Sequence, residues 1–326
     1  MILVVAPEAD DHAAAVLTEL SAAGHPFERF DLADFPRNAS VVEAFGPCLS
    51  FGLYARGRLI DLNGCGAAWW RRPHPMVLHD GLAADAIDFV YGECQEAIGG
   101  LWPCLPAAWV NPPDRDAVAH RKPYQLSVAA AVGLSVPRTL VTNDADAARR
   151  FIAEVGIERT VYKTFLATPQ CWRETRVLRP HELDLLDTLR YAPTIFQEYV
   201  PAQADLRVTI IGPSLFAAAI RAAPDGYTID YRMDMDSAHF EPTTLPPQTE
   251  EQLRELMRRL GLLYGAIDLR RTPDGQHVFL EINPAGEWRF VEERTDQSMT
   301  RAMASLLREL DRPCLTRAQA AAQAFE

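Results

Sequence analysis

The chain has 326 residues, 48% hydrophobic and 23% charged, which is the composition of a folded globular protein of about two domains. Its net charge of −12 argues against a general nucleic-acid-binding protein or a protein that docks on anionic lipid, because both need a basic surface. No apolar stretch reaches the ~18 residues of a membrane helix, and the start MILVVAPEADD does not have the pattern of a signal peptide. Because the cysteines show no disulfide or zinc-site spacing, we expect a cytoplasmic protein.

The first third of the sequence alternates short apolar runs with helical patterns. Strands are predicted for residues 1–6 and 27–31, on either side of a helix at residues 11–23. This order of strand, helix and strand predicts a parallel sheet that is covered by helices. The run FGLYARGRLI predicts a hairpin that turns at Arg56 and Gly57.

The run WWRRP, residues 69–73, ends a further strand, and a long helix is predicted to follow at residues 80–98. We expect Trp69 to pack in the core of the first domain, with Arg71 and Arg72 exposed. The alternative is that the run forms part of a substrate channel or a dimer surface.

The Pro-rich segment VNPPDRD, residues 110–116, is the first predicted domain boundary. Beyond it, helices and strands alternate, and the last region reads mostly as antiparallel strands, with YTIDYRM at residues 227–233 among them. Further helices are predicted at residues 120–133, 144–156, 249–260 and 297–310. We predict an α/β fold with a first domain at residues 1–115, a central lobe at 116–200, a C-terminal lobe at 201–315 and a tail at 316–326.

Three side chains with oxygen ligands lie in a hairpin that turns at residues 273–275. Asp268 lies on one strand, and Glu281 and Asn283 lie two residues apart on the other. The alternation of side chains puts Glu281 and Asn283 on one face of the sheet, and pairing through the turn can bring Asp268 onto that face. Two carboxylates and an amide oxygen suit Mg²⁺, which keeps water or phosphate as its other ligands. The alternative is a strand pair whose acids face the solvent.

Two lysines lie where they could meet phosphate groups. Lys163 lies in the strand TVYKTF, and Lys122 begins the helix that contains HRKPYQL. A compact ammonium group suits a phosphate, although an exposed lysine is the ordinary interpretation of each. The sequence has neither a Walker-type phosphate loop nor the Gly-rich dinucleotide fingerprint.

The segment QEYV, Gln197 to Val200, ends a strand and leads into a linker, so its backbone could hydrogen-bond an adenine ring between two lobes. Downstream, Asp205 and Arg207 are two residues apart. A surface ion pair is the alternative for these two residues, and such a pair indicates no function.

Taken in order, HRKPYQL, VYKTF, QEYV, DLRV, AIDLR and EINPAG resemble the motifs of the ATP-grasp ligases. More narrowly, WWRRP, GLSVPRTLVTND, NPAGEW and VEERT resemble those of the graspetide maturases, which are the microviridin-type peptide ligases. The similarity of pattern extends over about residues 1–310. It implies an ATP-grasp fold with an N-terminal pre-ATP-grasp βαβ domain.

The resemblance also implies roles for particular residues. Those expected to bind ATP are Lys122 and Lys163 at the phosphates, Gln197, Glu198, Tyr199 and Val200 at the adenine, and Asp205. Those expected to hold Mg²⁺ are Asp268, Glu281 and Asn283. Those expected to act on the reacting groups are Arg207, with Arg232 as the first choice for a second arginine and Arg221 as the next.

The implied reaction activates an Asp or Glu side chain of a ribosomal precursor peptide as an acyl phosphate, with release of ADP. A Ser or Thr hydroxyl or a Lys amine of the same peptide then displaces phosphate and closes an ω-ester or ω-amide ring. The resemblance implies a precursor peptide with a leader and an acidic core as the partner, and a homodimer. The resemblance also implies that the leader binds in the region of the acidic cluster of Asp230, Asp234 and Asp236, and a solvated hairpin is the alternative for this cluster.

One departure from the superfamily pattern is the run FLATPQCWRETRV at residues 165–177, which replaces the Gly-rich phosphate lid of many ATP-grasp enzymes. This departure weakens the interpretation as a ligase of free amino acids. An ATP-grasp carboxylate-amine ligase for amino acids or dipeptides is nevertheless the nearest alternative. A non-catalytic ATP-binding or scaffold protein is the alternative from another class.

Overall fold

A computed structural model describes residues 1–165, 175–222 and 235–311. Within these ranges, no helix combines the length and the apolar character that are needed to cross a membrane. The predicted strand at residues 227–233 lies outside the described residues.

The first part of the chain forms a parallel sheet, which is the first of three main sheets, and a small side sheet of three strands. Their elements are β1 Ile2–Val5, α1 Asp11–Ala22, β2 Phe27–Phe30, β3 Ala39–Ala44, β4 Ser50–Ala55, β5 Arg58–Asp61, β6 Ala67–Trp70, α2 Ile87–Cys104 and β7 Ala108–Val110, with a 3₁₀ turn at Leu32–Asp34. The parallel sheet has the strand order β2-β1-β6-β7, and β3, β4 and β5 form an antiparallel sheet. All four residues of β1 are buried, as expected for a central strand that is covered on both faces.

In this part of the chain the predicted hairpin is confirmed, whereas the predicted bounds of the long helix are wrong. Arg56 and Gly57 both have positive φ, as a tight hairpin between β4 and β5 requires. The helix predicted at residues 80–98 is wrong at both ends, because α2 runs from Ile87 to Cys104. Leu101 and Trp102 are buried like Ile98, so this apolar stripe continues the helix past two glycines.

The second sheet is antiparallel, with the strand order β10-β9-β11-β8. Before it come α3 Pro113–Ala119 and α4 Lys122–Ala131. Its elements are β8 Thr139–Thr142, α5 Ala145–Val155, β9 Thr160–Lys163, β10 Arg176–Val177 and β11 Thr194–Glu198, with 3₁₀ segments at Ile157–Arg159 and Pro180–Tyr191. The segment predicted as a Pro-rich break is therefore helical from Pro113 onward, where proline is well tolerated in a first turn.

The third sheet has five antiparallel strands in the order β14-β13-β12-β15-β16. Its elements are β12 Ala204–Ile211, β13 Ser214–Arg221, β14 His239–Pro242, α6 Pro247–Leu260, β15 Tyr264–Arg271 and β16 His277–Asn283, followed by α7 Arg289–Thr295 and α8 Met299–Leu310. Two short elements, β14 and α7, were not predicted from the sequence. Buried residues of α3, α4 and α6 share one core with one face of this sheet, although α4 and most of α3 fall within the predicted central lobe.

Candidate functional site

A row of charged side chains crosses the three central strands of the third sheet. Arg207 on β12 pairs with Asp268 on β15, and Asp268 pairs with Glu281 on β16. Directly opposed residues of an antiparallel sheet share a face, with Cβ atoms about 5 Å apart. The register shifts between Asp268 and Leu269, so one extra residue of β16 is accommodated next to this row.

Each acid of the row is paired with a cation. Arg207 Nη1 donates to Asp268 Oδ1 at 2.9 Å, and Lys122 at the start of α4 forms an ion pair with Glu281. Arg207 is only 7% exposed, and its guanidinium also lies over the ring of Phe290. The structure thus brings together a predicted phosphate ligand, two predicted metal ligands and a predicted catalytic arginine.

Asn283, the last residue of β16, lies next to the row of charged side chains. It lies opposite Ala266, two residues from Asp268, and its Oδ1 accepts a hydrogen bond from the Ala285 N–H at 3.0 Å. This bond fixes the orientation of the amide while a second lone pair of the oxygen stays available to a ligand. Asn283 therefore lies on the same face as the two carboxylates.

The predicted adenine hinge lies at the end of β11. Glu198 N donates to Arg138 O and Tyr199 N donates to Arg159 O, which fixes the backbone of the segment. Val200 O accepts from Arg270 Nη1 at 3.0 Å, whereas no group among the described residues accepts from the N–H of Val200. A half-buried N–H in this position can donate to a ring nitrogen of a nucleotide base.

The side chains of the hinge have partners within the protein. Gln197 is buried and donates to Thr139 Oγ1 at 2.9 Å, and Glu198 forms an ion pair with Arg159. Only the backbone of these two residues therefore suits base recognition. The ring of Tyr199 lies 5.6 Å from the guanidinium carbon of Arg270.

Asp205 joins the hinge to the charged row. It lies opposite Arg270, and Arg270 Nε donates to Asp205 Oδ1 at 2.8 Å. Because Arg270 also holds Val200 O, one buried guanidinium ties the hinge to β15, two residues from Asp268. The alternative of a surface pair between Asp205 and Arg207 is wrong, since each pairs with a residue of β15, and Arg207 is buried while Asp205 is largely covered.

The remaining predicted residues lie in three different places. Lys163 is the last residue of β9, opposite Ile195, on the face of the second sheet that points away from the core formed with α5. Arg221 forms an ion pair with Glu241 and, by the alternation along β13, lies on the opposite face from Arg207, so the structure does not bring it to the charged row. Arg232 lies outside the described residues, as do Asp230 and Asp234.

The two arginines of WWRRP differ from each other, and the expectation that both are exposed is wrong for Arg71. Its guanidinium is 1% exposed, pairs with Asp10 at 3.1 Å, and donates to the carbonyl oxygens of Ala285 and Gly286 at 2.7 and 2.8 Å. The carboxylate and the two carbonyls compensate for the burial of the charge. Arg72 is half-exposed and pairs with the Glu287 side chain.

His12 contacts the start of α7, which was not foreseen from the sequence. Its Nε2 accepts from the N–H groups of Trp288 and Arg289 at 3.0 and 3.2 Å, and its Nδ1 lies 2.7 Å from Asp11 Oδ1. An acceptor at Nε2 requires the neutral ring. Burial, reinforced by the nearby positive charge of Arg71, lowers the pKa of His12 below the usual value of 6.5.

The folded protein is therefore expected to lose stability when His12 becomes protonated. A lowered pKa in the folded state means that this stability is fully present above about pH 6.5 and declines as the pH falls toward the lowered pKa. The N–H groups of Trp288 and Arg289, of which the first is buried and the second half-buried, then lack an acceptor, which costs about 1–3 kcal/mol. Melting temperatures measured between about pH 7.5 and 5.5 test this expectation, with H12Q as the control because its amide oxygen accepts without titrating. An equal decline in H12Q contradicts it.

Solved structures resemble this arrangement over nearly the whole chain. Macrocyclase MdnC from Microcystis aeruginosa MRC, solved with the precursor peptide MdnA, is 30% identical, with 94% of this chain and 98% of that chain covered at a TM-score of 0.84. A RiPP-associated ATP-grasp ligase from Chryseobacterium gregarium, solved with ADP and a leader and core peptide, is 26% identical, with 96% and 97% covered at a TM-score of 0.85. The ATP-grasp ligase PsnB, solved with a precursor variant, Mg and ADP, is 25% identical, with 95% and 98% covered at a TM-score of 0.76.

No protein-family profile and no curated protein matched the sequence. The fold and the row of charges define an ATP-grasp ligase. The chain belongs to the family of ATP-grasp macrocyclases that act on ribosomal peptides. The predicted family, the α/β ATP-grasp fold and the enzyme class are thereby confirmed.

Proposed function

We propose that this protein is an ATP- and Mg²⁺-dependent peptide macrocyclase. It activates Asp or Glu side chains of a ribosomal precursor peptide and joins them to Ser or Thr hydroxyls or Lys amines of the same peptide. The observation that carries the proposal is the row of Arg207, Asp268 and Glu281, which lie in register on one sheet face with Lys122 beside them. The relatives solved with precursor peptides supply the substrate class.

The residues on this face fit a magnesium ion and a nucleotide. Asp268, Glu281 and Asn283 offer only oxygen atoms, which are the ligands that Mg²⁺ prefers. A bound Mg²⁺ neutralises charge that develops on transferring phosphate groups. The two acids would hold the metal, and Lys122 and Arg207 would then be available to anionic groups.

The distribution of basic residues supports the phosphate contacts. Lys122 and Lys163 are the only lysines among the 32 basic residues of the chain, and all the others are arginines. Arginine serves well in ion pairs on a protein surface, but lysine offers a compact charge that can approach a single phosphate oxygen. Lysine is thus found only at the two positions for which phosphate contact is proposed.

Arg207 would orient the substrate carboxylate. A guanidinium fork can bind both carboxylate oxygens and hold them beside a phosphate group, although both partners are anions. Arg232 is the proposed second arginine, because Arg221 lies on the opposite face of the sheet. No side chain of the protein needs to act as a nucleophile, because the carboxylate and the hydroxyl or amine both belong to the peptide and are held close together.

A labelling experiment tests the phosphate contacts directly. With only two lysines, a lysine-selective acetylating reagent can modify two side chains and the terminal amine of Met1. We expect ADP with Mg²⁺ to slow modification of Lys122 and Lys163 by about tenfold, because a bound phosphate blocks the ammonium group. Mass spectrometry of peptide fragments gives each rate, and Met1, which is paired with Asp311, is the internal control. Equal rates with and without ADP contradict the assignment.

The substrate class is tested by ADP release. Precursor peptides with an acidic core, free amino acids and dipeptides are each incubated with the protein, ATP and Mg²⁺. Release that depends on a peptide supports the macrocyclase. Release that depends on amino acids or dipeptides alone favours the small-molecule ligase, and no release with any of them favours a non-catalytic protein.

A homodimer is also proposed. Val42, Tyr54 and Leu59 are large apolar side chains that are exposed on the antiparallel sheet of β3, β4 and β5, and Tyr54 and Leu59 are directly opposed. Exposed apolar clusters of this kind mark association surfaces. Light scattering after size-exclusion chromatography tests this, and replacing Leu59 with lysine is expected to yield monomers.

A further inference from the structure

The segment Pro284–Trp288 directly follows the proposed metal ligand Asn283, and side chains hold the carbonyl oxygens of its first four residues. Four consecutive carbonyl oxygens accept hydrogen bonds: Pro284 O from Asn111 Nδ2 at 2.9 Å, Ala285 O from Arg71 Nη1 at 2.7 Å, Gly286 O from Arg71 Nη1 at 2.8 Å and Tyr264 Oη at 2.7 Å, and Glu287 O from Arg207 Nη2 at 2.9 Å. The conformation of the segment is therefore set by these donors.

Three of the residues that hold the segment come from the carboxyl edge of the first, parallel sheet. Asn111 directly follows β7, Arg71 directly follows β6, and His12 lies in α1 after β1. In open parallel sheets, ligands bind beyond this edge, where the strand order reverses. Here the reversal lies between β1 and β6, and the segment that follows the third sheet contacts residues at this edge.

Arg71 makes the largest share of these contacts. Its planar guanidinium bonds two carbonyls and the Asp10 carboxylate at once and lies 5.5 Å from the ring centre of Trp288, which is fully buried. A lysine can carry the same charge but cannot reproduce this fork. The contacts of Arg71 therefore depend on the planar shape of its guanidinium as well as on its positive charge.

The segment Pro284–Trp288 connects the contacts of Arg71 with the charged row. It directly follows Asn283, and the last of these four carbonyls, Glu287 O, accepts a hydrogen bond from Arg207 Nη2. At Gly286 the backbone passes so close that an added Cβ would lie 2.5 Å from Ala266 Cβ and 3.1 Å from Arg207 Nη2. A shift of the segment therefore moves both Asn283 and Arg207.

We propose that Arg71, supported by His12 and Asn111, is a positioning residue that sets the geometry of the metal ligand Asn283 and of Arg207 through the segment Pro284–Trp288. This proposal rests on the proposed function, since it concerns the metal site of that reaction. It assigns the first domain a role in positioning the proposed metal site.

The test uses direct metal binding. Mn²⁺, which shares the preference for oxygen ligands, is titrated into the full-length protein with ADP, and free Mn²⁺ is measured by electron paramagnetic resonance. R71K is expected to weaken Mn²⁺ binding by about tenfold or more, as is usual when a group that orients a ligand is changed. R72K, at the half-exposed neighbour, is the matched control and is expected to bind as the wild type does. Y264F, which removes one donor to Gly286 O, is expected to have a smaller effect in the same direction.

Thermal melting of each variant separates positioning from folding. Weaker Mn²⁺ binding in R71K and Y264F at a preserved melting temperature supports the proposal. If R71K binds Mn²⁺ as tightly as the wild type, the proposal is overturned, even when the melting temperature of R71K is lower. Arg71 then has a structural role alone. Absence of Mn²⁺ binding in the wild-type protein with ADP overturns the proposed function as well, so the two failures are distinguishable.

Discussion

Replacing Asp268 with asparagine is expected to reduce peptide-dependent ADP formation by about 10²–10³-fold, as for the loss of one preorganised electrostatic group in other enzymes. The substitution keeps the shape of the side chain but removes the negative charge that would hold Mg²⁺ and that now pairs with Arg207. Because Asp268 lies between Arg207 and Glu281, its loss weakens the metal site and also releases the arginine. Steady-state release of ADP at saturating Mg²⁺ measures the effect.

D274N is the matched control for this experiment. Asp274 belongs to the same hairpin, in the exposed turn between β15 and β16, where it bonds Thr272 and Gln276. We expect D274N to retain activity within about twofold, because surface substitutions of this kind change stability by only ~0.5 kcal/mol. If D268N retains activity like D274N, the proposed metal site is wrong.

Replacing Arg207 with lysine is expected to reduce the turnover number by about 10²-fold, a loss typical of a misplaced reacting group. Lysine keeps the charge but loses the fork that binds Asp268 and Glu287 O and would bind a substrate carboxylate. The effect should lie mainly in kcat, because remote parts of the peptide still bind. Kinetics at several peptide concentrations separate kcat from KM.

The control for Arg207 is R258K. Arg258 lies on the outer surface of α6, is 72% exposed and pairs with Glu255 three residues earlier. Such pairs contribute about 0.5 kcal/mol or less, so R258K should leave both kcat and KM unchanged. A rise in KM alone for R207K would mean that Arg207 serves peptide binding and does not orient the carboxylate for reaction.

Much of the charged row could be predicted because its residues on β15 and β16 are close in sequence. Their faces follow from the alternation of side chains along a strand. Glu281 and Asn283 are two residues apart, and the turn at residues 273–275 brings Asp268 opposite Glu281. The bulge next to Asp268 was not foreseen, since a shift of one residue leaves no signal in the alternation of apolar residues. Arg207 was found through the resemblance, but its partner Asp268 was not identified.

The residues that hold the segment Pro284–Trp288 could not be predicted from the sequence. Arg71 and Gly286 are 215 residues apart, and His12 and Trp288 are 276 apart. Contacts at such distances depend on how the sheets pack, which no local pattern encodes. An arginine after two tryptophans is typical of an exposed strand end, so Arg71 was expected to face the solvent. A buried arginine becomes stable only when carbonyl and carboxylate groups from other elements surround it.

The mass of a precursor peptide after incubation with this protein, ATP and Mg²⁺ tests the central claim most directly. We predict that the peptide loses one water molecule for each linkage and that one ADP forms for each water lost. Tandem mass spectrometry should place each loss between an Asp or Glu and a Ser, Thr or Lys of the core. An unchanged peptide mass, while a matched relative such as MdnC modifies its own precursor in the same assay, would contradict the account.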